Sequence, residues 1–125
     1  MTDNQYLSQE EILAADDVVY DDVQVPEWGG VVRVRSLTVG ESVSITDMSR
    51  VSGDKKNPLK VDTRRAMFLT FQKGVVNPPI DANVLERLMN KNSGVVLRVV
   101  TRINELSGVT LDAEDLSKNL ESSLS

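Results

Sequence analysis

The stretch VQVPEWGGVVRVRSL, residues 23–37, decides the fold class of this chain. Valine alternates with polar residues on both sides of a short segment that contains Pro26 and two glycines. Alternation with a period of two is typical of β-strands, and adjacent glycines permit the backbone angles of a tight connection. The stretch therefore predicts a β-hairpin joined by residues 26–30. An isolated hairpin is only marginally stable, so helices are expected to cover its valine face.

Helix signals flank the hairpin on both sides. Ser8 with Glu11, and Thr38 with Glu41, have the spacing of capping boxes and predict helix starts near residues 9 and 39. The first of these helices is expected to be short, and the second is rich in serine and β-branched residues. A loop is predicted at residues 52–58.

The second half of the chain predicts three further helices. The first runs from about residue 60 to a stop at Gly74. The second is capped by Asp81 and comprises residues 82–91. The third, at residues 95–106, has the clearest amphipathic spacing, although its valines leave a strand as the competing interpretation. Extended chain is expected between Gly74 and Asp81. In the first of these helices, the side chains expected to face the core are Val61, either Met67 or Phe68, and Phe71.

Length and composition indicate one small domain without cysteine chemistry. The chain has 125 residues, 40% hydrophobic and 4% aromatic, and contains neither Cys nor His. Disulfides, thiol nucleophiles and catalytic triads that use His are therefore excluded, and a zinc site is disfavoured. No apolar run approaches the roughly 18 residues of a membrane span. The polar, acidic start is not a secretory signal, which predicts a cytoplasmic protein.

We expect an acidic arm with a short helix (1–18), a compact, mostly helical α+β domain (19–108) and an acidic tail (109–125), and the charges are strongly segregated along the chain. Residues 1–32 hold eight acids and no Lys or Arg, whereas residues 33–104 hold thirteen basic residues and six acids. Two interpretations remain open. The acidic ends fold over the basic middle or stay solvated, or they meet the basic middle of neighbouring copies in a self-associated assembly.

No motif predicts catalysis, a cofactor or a metal. The acidic pairs near residues 16 and 21 lack the glycine and the alternation of a calcium loop, and the Gly-Gly pair lacks the rest of a phosphate-binding loop. We therefore expect a binding protein and not an enzyme. Residues 54–65 carry a basic patch, but the overall acidity and the lack of stacking aromatics disfavour nucleic acid. The patch comprises Lys55, Lys56, Lys60, Arg64 and Arg65.

Several side chains are candidates for partner contact. Trp28, the single tryptophan, either covers part of the core or anchors a partner, and both roles are compatible if it is half-buried. Arg33 and Arg35 share one strand face, where plain solvation is the alternative. The tail carries leucines four residues apart, which predicts an apolar helix face for binding or a disordered segment. These leucines are Leu116, Leu120 and Leu124.

The stretches VPEWGGVVRVRSLTVGE, VVNPPI and INELSG together resemble the tail assembly chaperones of long-tailed (siphovirus-type) bacteriophages. The resemblance covers about residues 19–108, and the hairpin stretch is its most specific part. It implies a non-enzymatic protein of the infected host's cytoplasm that binds the tape measure protein and keeps it soluble. It also implies that tail tube subunits are recruited, through a longer form made by ribosomal frameshifting.

Two other functions remain open from the sequence. One is a minor tail or connector protein that stays in the virion as a structural subunit. The other, less favoured, is a nucleic-acid-binding regulator that uses the basic patch at residues 54–65.

Overall fold

The computed structural model of the chain describes residues 6–51, 56 and 60–108. Its helices are α1 (Gln9–Ala14), α2 (Val39–Met48), α3 (Thr63–Gly74), α4 (Ala82–Arg87) and α5 (Ser93–Leu106). Its strands are β1 (Tyr20–Val25), β2 (Gly30–Arg35) and β3 (Val75–Asn77), and short 3₁₀ turns occupy Pro26–Trp28 and Leu88–Asn90. The predicted α+β class, with a hairpin near the N-terminus followed by helices, is confirmed.

β1 and β2 form the predicted antiparallel hairpin. Val23 lies opposite Val32, and Val25 lies opposite Gly30. The connection differs slightly from the prediction, because Gly30 already belongs to β2 and the turn closes through Gly29. Gly29 has a φ of 82°, which a side chain rarely adopts, and its N–H donates to the Pro26 carbonyl at 3.0 Å.

The segment predicted as extended chain is a third strand. β3 pairs antiparallel with β2, with Val75 opposite Val34 and Asn77 opposite Arg33, so the sheet order is β1-β2-β3. Its pairing partner could not be predicted, because a strand of three residues carries no pattern of its own.

Helices α3 and α5 cover the valine face of the sheet, as the marginal stability of a hairpin requires. The predicted helix in α5 is confirmed over the competing strand, and its buried stripe follows the predicted spacing. On α3, Phe71 is 1% exposed, while Met67 and Phe68 both pack against the core. The core joins β1, β2, β3, α3 and α5 with Leu88 and consists of Val23, Val25, Val32, Val34, Phe71, Val75, Leu88, Val95, Val96, Val99, Val100 and Ile103.

Gly74 ends α3 as predicted, but for a different reason. Helix-ending glycines usually adopt a left-handed conformation, whereas the helix here runs directly into extended Val75. A Cβ at Gly74 would lie 2.5 Å from Ile103 Cδ1 and 2.7 Å from Ile103 Cγ2. The glycine therefore allows α3 and α5 to approach closely.

Both predicted capping boxes are present. The Ser8 hydroxyl accepts from the Glu11 N–H at 3.1 Å, and the Thr38 hydroxyl accepts from the Glu41 N–H at 3.2 Å. Helix α1 buries none of its residues, and Leu13 is 85% exposed. None of the helices in the described ranges has the length and apolar character needed to cross a membrane.

The loop predicted at residues 52–58 lies outside the described residues except for Lys56. Its two ends are held together: Arg50 and Val61 form an antiparallel bridge, and the Val51 N–H donates to the Lys60 carbonyl at 2.9 Å.

Candidate partner-binding surface

Trp28 is half-buried, and its ring packs against the core. The indole meets Phe71 of α3 edge-on, with the ring centroids 6.2 Å apart and the planes at 70°. Edge-to-face aromatic pairs add to the stabilisation that burial alone provides. The tryptophan on the turn therefore holds the hairpin against α3.

The other side of Trp28 lines a surface groove of about 470 Å³. The groove lies between the hairpin turn and the N-terminal end of α5, where Lys91 contributes positive charge and Arg98 is paired with Glu27, which also lines the groove. A half-buried aromatic ring beside a cation forms a surface suited to an amphipathic partner with an acidic edge.

Two arginines of α5 bind carboxylates of the hairpin. Arg98 forms a bidentate pair with Glu27, at 2.8 and 2.6 Å, and Arg102 Nε donates to Asp21 at 2.7 Å. The hydrogen bond from Arg98 lowers the pKa of Glu27 to about 2, and the bond from Arg102 lowers the pKa of Asp21. Acids of the acidic segment 1–32 thus pair with arginines of the basic segment 33–104 inside a single copy.

Arg33 lies on the opposite, solvent-facing side of the sheet. Its guanidinium is 5.3 Å from the centroid of the Tyr20 ring and donates to Asp22 at 3.3 Å. Half of its side-chain surface remains exposed, so this cation is accessible to a partner.

Arg35 is occupied within the chain. Its guanidinium forms a bidentate pair with Glu41, one bond of which is 2.8 Å long, and the side chain is 19% exposed. Glu41 also closes the capping box of α2 by accepting from the Thr38 N–H at 2.9 Å. The bond from Arg35 lowers the pKa of Glu41 to about 2 and ties the end of β2 to the start of α2.

The structure does not bring the candidate residues together on one surface. Trp28 packs towards α3 and α5, whereas Arg33 and Arg35 lie on the other face of the sheet. Leu116, Leu120 and Leu124, together with Lys55 of the basic patch, lie outside the described residues.

The sequence interpretation missed the contributions of α5 to the surface. Arg98 and Arg102 are four residues apart and lie on one helix face, a spacing that was visible, but their partners Glu27 and Asp21 are more than seventy residues away. Only the packing of α5 on the sheet reveals these pairs.

The described residues contain no group of three or more acidic side chains placed to hold a metal ion. Comparison of the chain with protein-family models, with curated proteins and with solved structures found no match.

Proposed function

We propose that this protein is a tail assembly chaperone of a long-tailed bacteriophage. It acts in the host cytoplasm by binding the tape measure protein, keeping it soluble and helping to recruit tail tube subunits. The proposal begins from the resemblance in three separate stretches of sequence.

One observation carries the proposal: the three stretches that resemble the family meet in the fold. The first forms β2 and the start of α2, and the second forms β3, which pairs with β2. The third ends α5, where the Ser107 hydroxyl accepts from the Leu37 N–H at 2.8 Å. Their contact agrees with one continuous resemblance over residues 19–108 and not with three unrelated short matches.

The groove beside Trp28 is the surface that best suits such a partner. A tape measure protein offers long amphipathic helices, and a helix binds by laying its apolar face into a groove. Trp28 supplies apolar contact, and Lys91 supplies a cation.

Co-expression with the tape measure protein tests the proposal. We expect the tape measure to become soluble and to co-purify with this chain, and we expect the chain to be absent from purified virions by mass spectrometry. An insoluble, unbound tape measure, or a stoichiometric amount of this chain in the virion, would replace the proposal with the structural-subunit alternative.

A further inference from the structure

Within the described residues, one long edge of the sheet has no neighbouring strand. β1 pairs with β2 and with no other described strand. The Ser36 N–H donates to the Val19 carbonyl at 2.8 Å, which shows that Val19 and Ser36 are a hydrogen-bonded pair of the ladder. Alternation along an antiparallel pair then directs the backbone groups of Tyr20, Asp22 and Gln24 away from β2. In the described ranges no other element bonds these groups, although the Asp22 N–H interacts with the neighbouring Asp21 carboxylate, and all three residues are exposed.

Among the features that usually protect such a strand, this edge carries only negative charge, at Asp21 and Asp22. β1 is six residues long and contains no Lys, Pro or bulge. Native proteins usually blunt exposed edges with those features, because unpaired N–H and C=O groups attract another strand. An edge left open over this length is able to accept one.

A groove of about 440 Å³ runs between this edge and α5. Its lining is mostly apolar, and Val23 of β1 faces Leu97 and Thr101 of α5 across it. Alternate side chains of an added strand would enter this groove, since side chains on a strand alternate between its two faces. A strand and a helix that flank a slot are the arrangement used in β-strand addition.

The charges at the groove favour a basic occupant. Its lining includes three acidic residues, Asp21, Asp22 and Glu105, of which Asp22 has its carboxylate bound by Arg33 on the other face of the sheet. Arg102 is shared between two of them, at 2.7 Å from Asp21 and 3.6 Å from Glu105. The other arginine of the lining, Arg98, is engaged by Glu27, which leaves the groove net anionic.

We propose that the β1 edge and this groove bind an extended segment of a partner protein as a fourth strand. The segment alternates apolar residues, which enter the groove, with Lys or Arg, which face Asp22. The chain itself shows this chemistry in β2, where Val32 and Val34 enter the core and Arg33 binds Asp22. The proposal goes beyond the tail-assembly function and does not depend on it.

A fluorescent peptide with the sequence GVVRVRS, copied from residues 30–36, is the probe for this edge. We expect saturable binding to the full chain by fluorescence anisotropy. Replacing both arginines with glutamate is expected to weaken binding at least about tenfold, because like charges then face Asp22.

Blocking the backbone N–H groups of alternate peptide residues tests whether the peptide binds as an added strand. Two peptides carry backbone N-methyl groups, one at the odd positions and one at the even positions. Only one of these sets faces β1 in an added strand, so one peptide loses binding at least about tenfold and the other keeps it. Equal binding of the two peptides overturns the proposal, and so does the absence of saturable binding by the unmodified peptide.

The matching test on the protein is Gln24→Pro, with Gln24→Thr as its control. Proline removes the outward N–H of Gln24 without removing a hydrogen bond to β2, a position where edge strands tolerate proline. We expect Gln24→Pro to weaken peptide binding at least about tenfold and Gln24→Thr to change it less than about twofold. Binding that is unchanged in a folded Gln24→Pro protein overturns the proposal.

A second copy of the chain is the competing occupant. Sedimentation would reveal such a dimer. If Gln24→Pro dissociates the dimer and the dimer does not bind the peptide, the edge pairs with a second copy and the proposal is wrong. The tape measure co-expression measures a different interaction. Loss of peptide binding with intact co-purification therefore counts against this inference alone, and the reverse result counts against the proposed function alone.

Discussion

Trp28 both stabilises the core and remains accessible at the surface. Its ring packs edge-on against Phe71 and also lines the groove that contains Lys91 and Arg98. A fully buried tryptophan would offer nothing to a partner, and a fully exposed one would cost solubility. Placing it on a turn, beyond the last paired residue of β1, permits both contacts.

Replacing Trp28 with alanine separates the two roles. We expect a loss of about 2 kcal/mol in the free energy of unfolding in urea, because half of a large aromatic contact disappears. We also expect weaker co-purification of the tape measure protein. Tyr20→Ala, which removes a half-exposed aromatic from the other face of the sheet, is the control and should change stability by less than about 1 kcal/mol. A Trp28→Ala protein that melts earlier yet binds normally would show that the tryptophan is only structural.

Gly74 sets the distance between two helices. Because a Cβ there would overlap Ile103, which is fully buried and stiff at its branched carbon, Gly74→Ala is expected to cost about 1–3 kcal/mol. Ile103→Ala removes all three overlapping atoms, Cδ1, Cγ1 and Cγ2, and alone should cost about 2–5 kcal/mol. In the double variant we expect the two losses to be clearly less than additive in chemical denaturation. Additive losses would mean that the two positions do not contact each other as the structure indicates.

At the scale of elements, the pair of Arg35 and Glu41 joins the sheet to α2. Glu41 binds both the guanidinium at the end of β2 and the N–H of the cap residue Thr38. One carboxylate thus stabilises the start of a helix whose own residues are weak helix formers.

This pair predicts a specific loss of stability in acid. Folding lowers the pKa of Glu41 from 4.5 to about 2, so the folded state favours the deprotonated carboxylate. The stabilisation, roughly 1–3 kcal/mol, is present above pH 4.5 and is lost as the pH falls towards 2. Thermal melts should show that Glu41→Gln lowers the Tm at pH 7 and reduces the fall in Tm between pH 5 and pH 2. Glu10→Gln, at an exposed residue that has no ion pair in the described ranges, is the control. An acid response in Glu41→Gln that equals the wild type's would remove this role.

The N-cap of α5 matters because the helix is rich in valine, which lowers its intrinsic propensity. The Asn92 side chain accepts from the Gly94 N–H at 2.9 Å and from the Val95 N–H at 3.3 Å. We expect Asn92→Ala to cost about 1 kcal/mol in urea unfolding. Asn90→Ala, two residues earlier at an exposed side chain without a hydrogen bond in the described part of the chain, should cost much less. Equal losses at the two positions would contradict the capping role.

For the whole molecule, the core and the N-terminal arm contribute very differently to stability. Leu88 is 6% exposed and belongs to the core, whereas Leu13 on α1 is 85% exposed. We expect Leu88→Ala to lower the free energy of unfolding by about 2–4 kcal/mol and Leu13→Ala to leave it within about 0.5 kcal/mol. A comparable loss at Leu13 would show that the arm packs onto the domain in solution.

The amino-acid sequence by itself determined the elements that depend on near neighbours. The alternating valines specified the hairpin, and the pairs Ser8 with Glu11 and Thr38 with Glu41 marked two helix starts. Signals of this kind act within one turn of helix or one strand pair, so they are readable without knowing the rest of the fold.

Only the tertiary structure decided what depends on distant residues. It paired β3 with β2, joined Arg98 to Glu27, gave Gly74 its role in helix packing and, among the described residues, left the β1 edge without a neighbouring strand. These features depend on parts of the chain that are far apart in sequence. They arise when burial of the valine face brings α3 and α5 onto the sheet. The pattern of residues determines which faces are apolar, whereas the packing of those faces determines which surface remains for a partner.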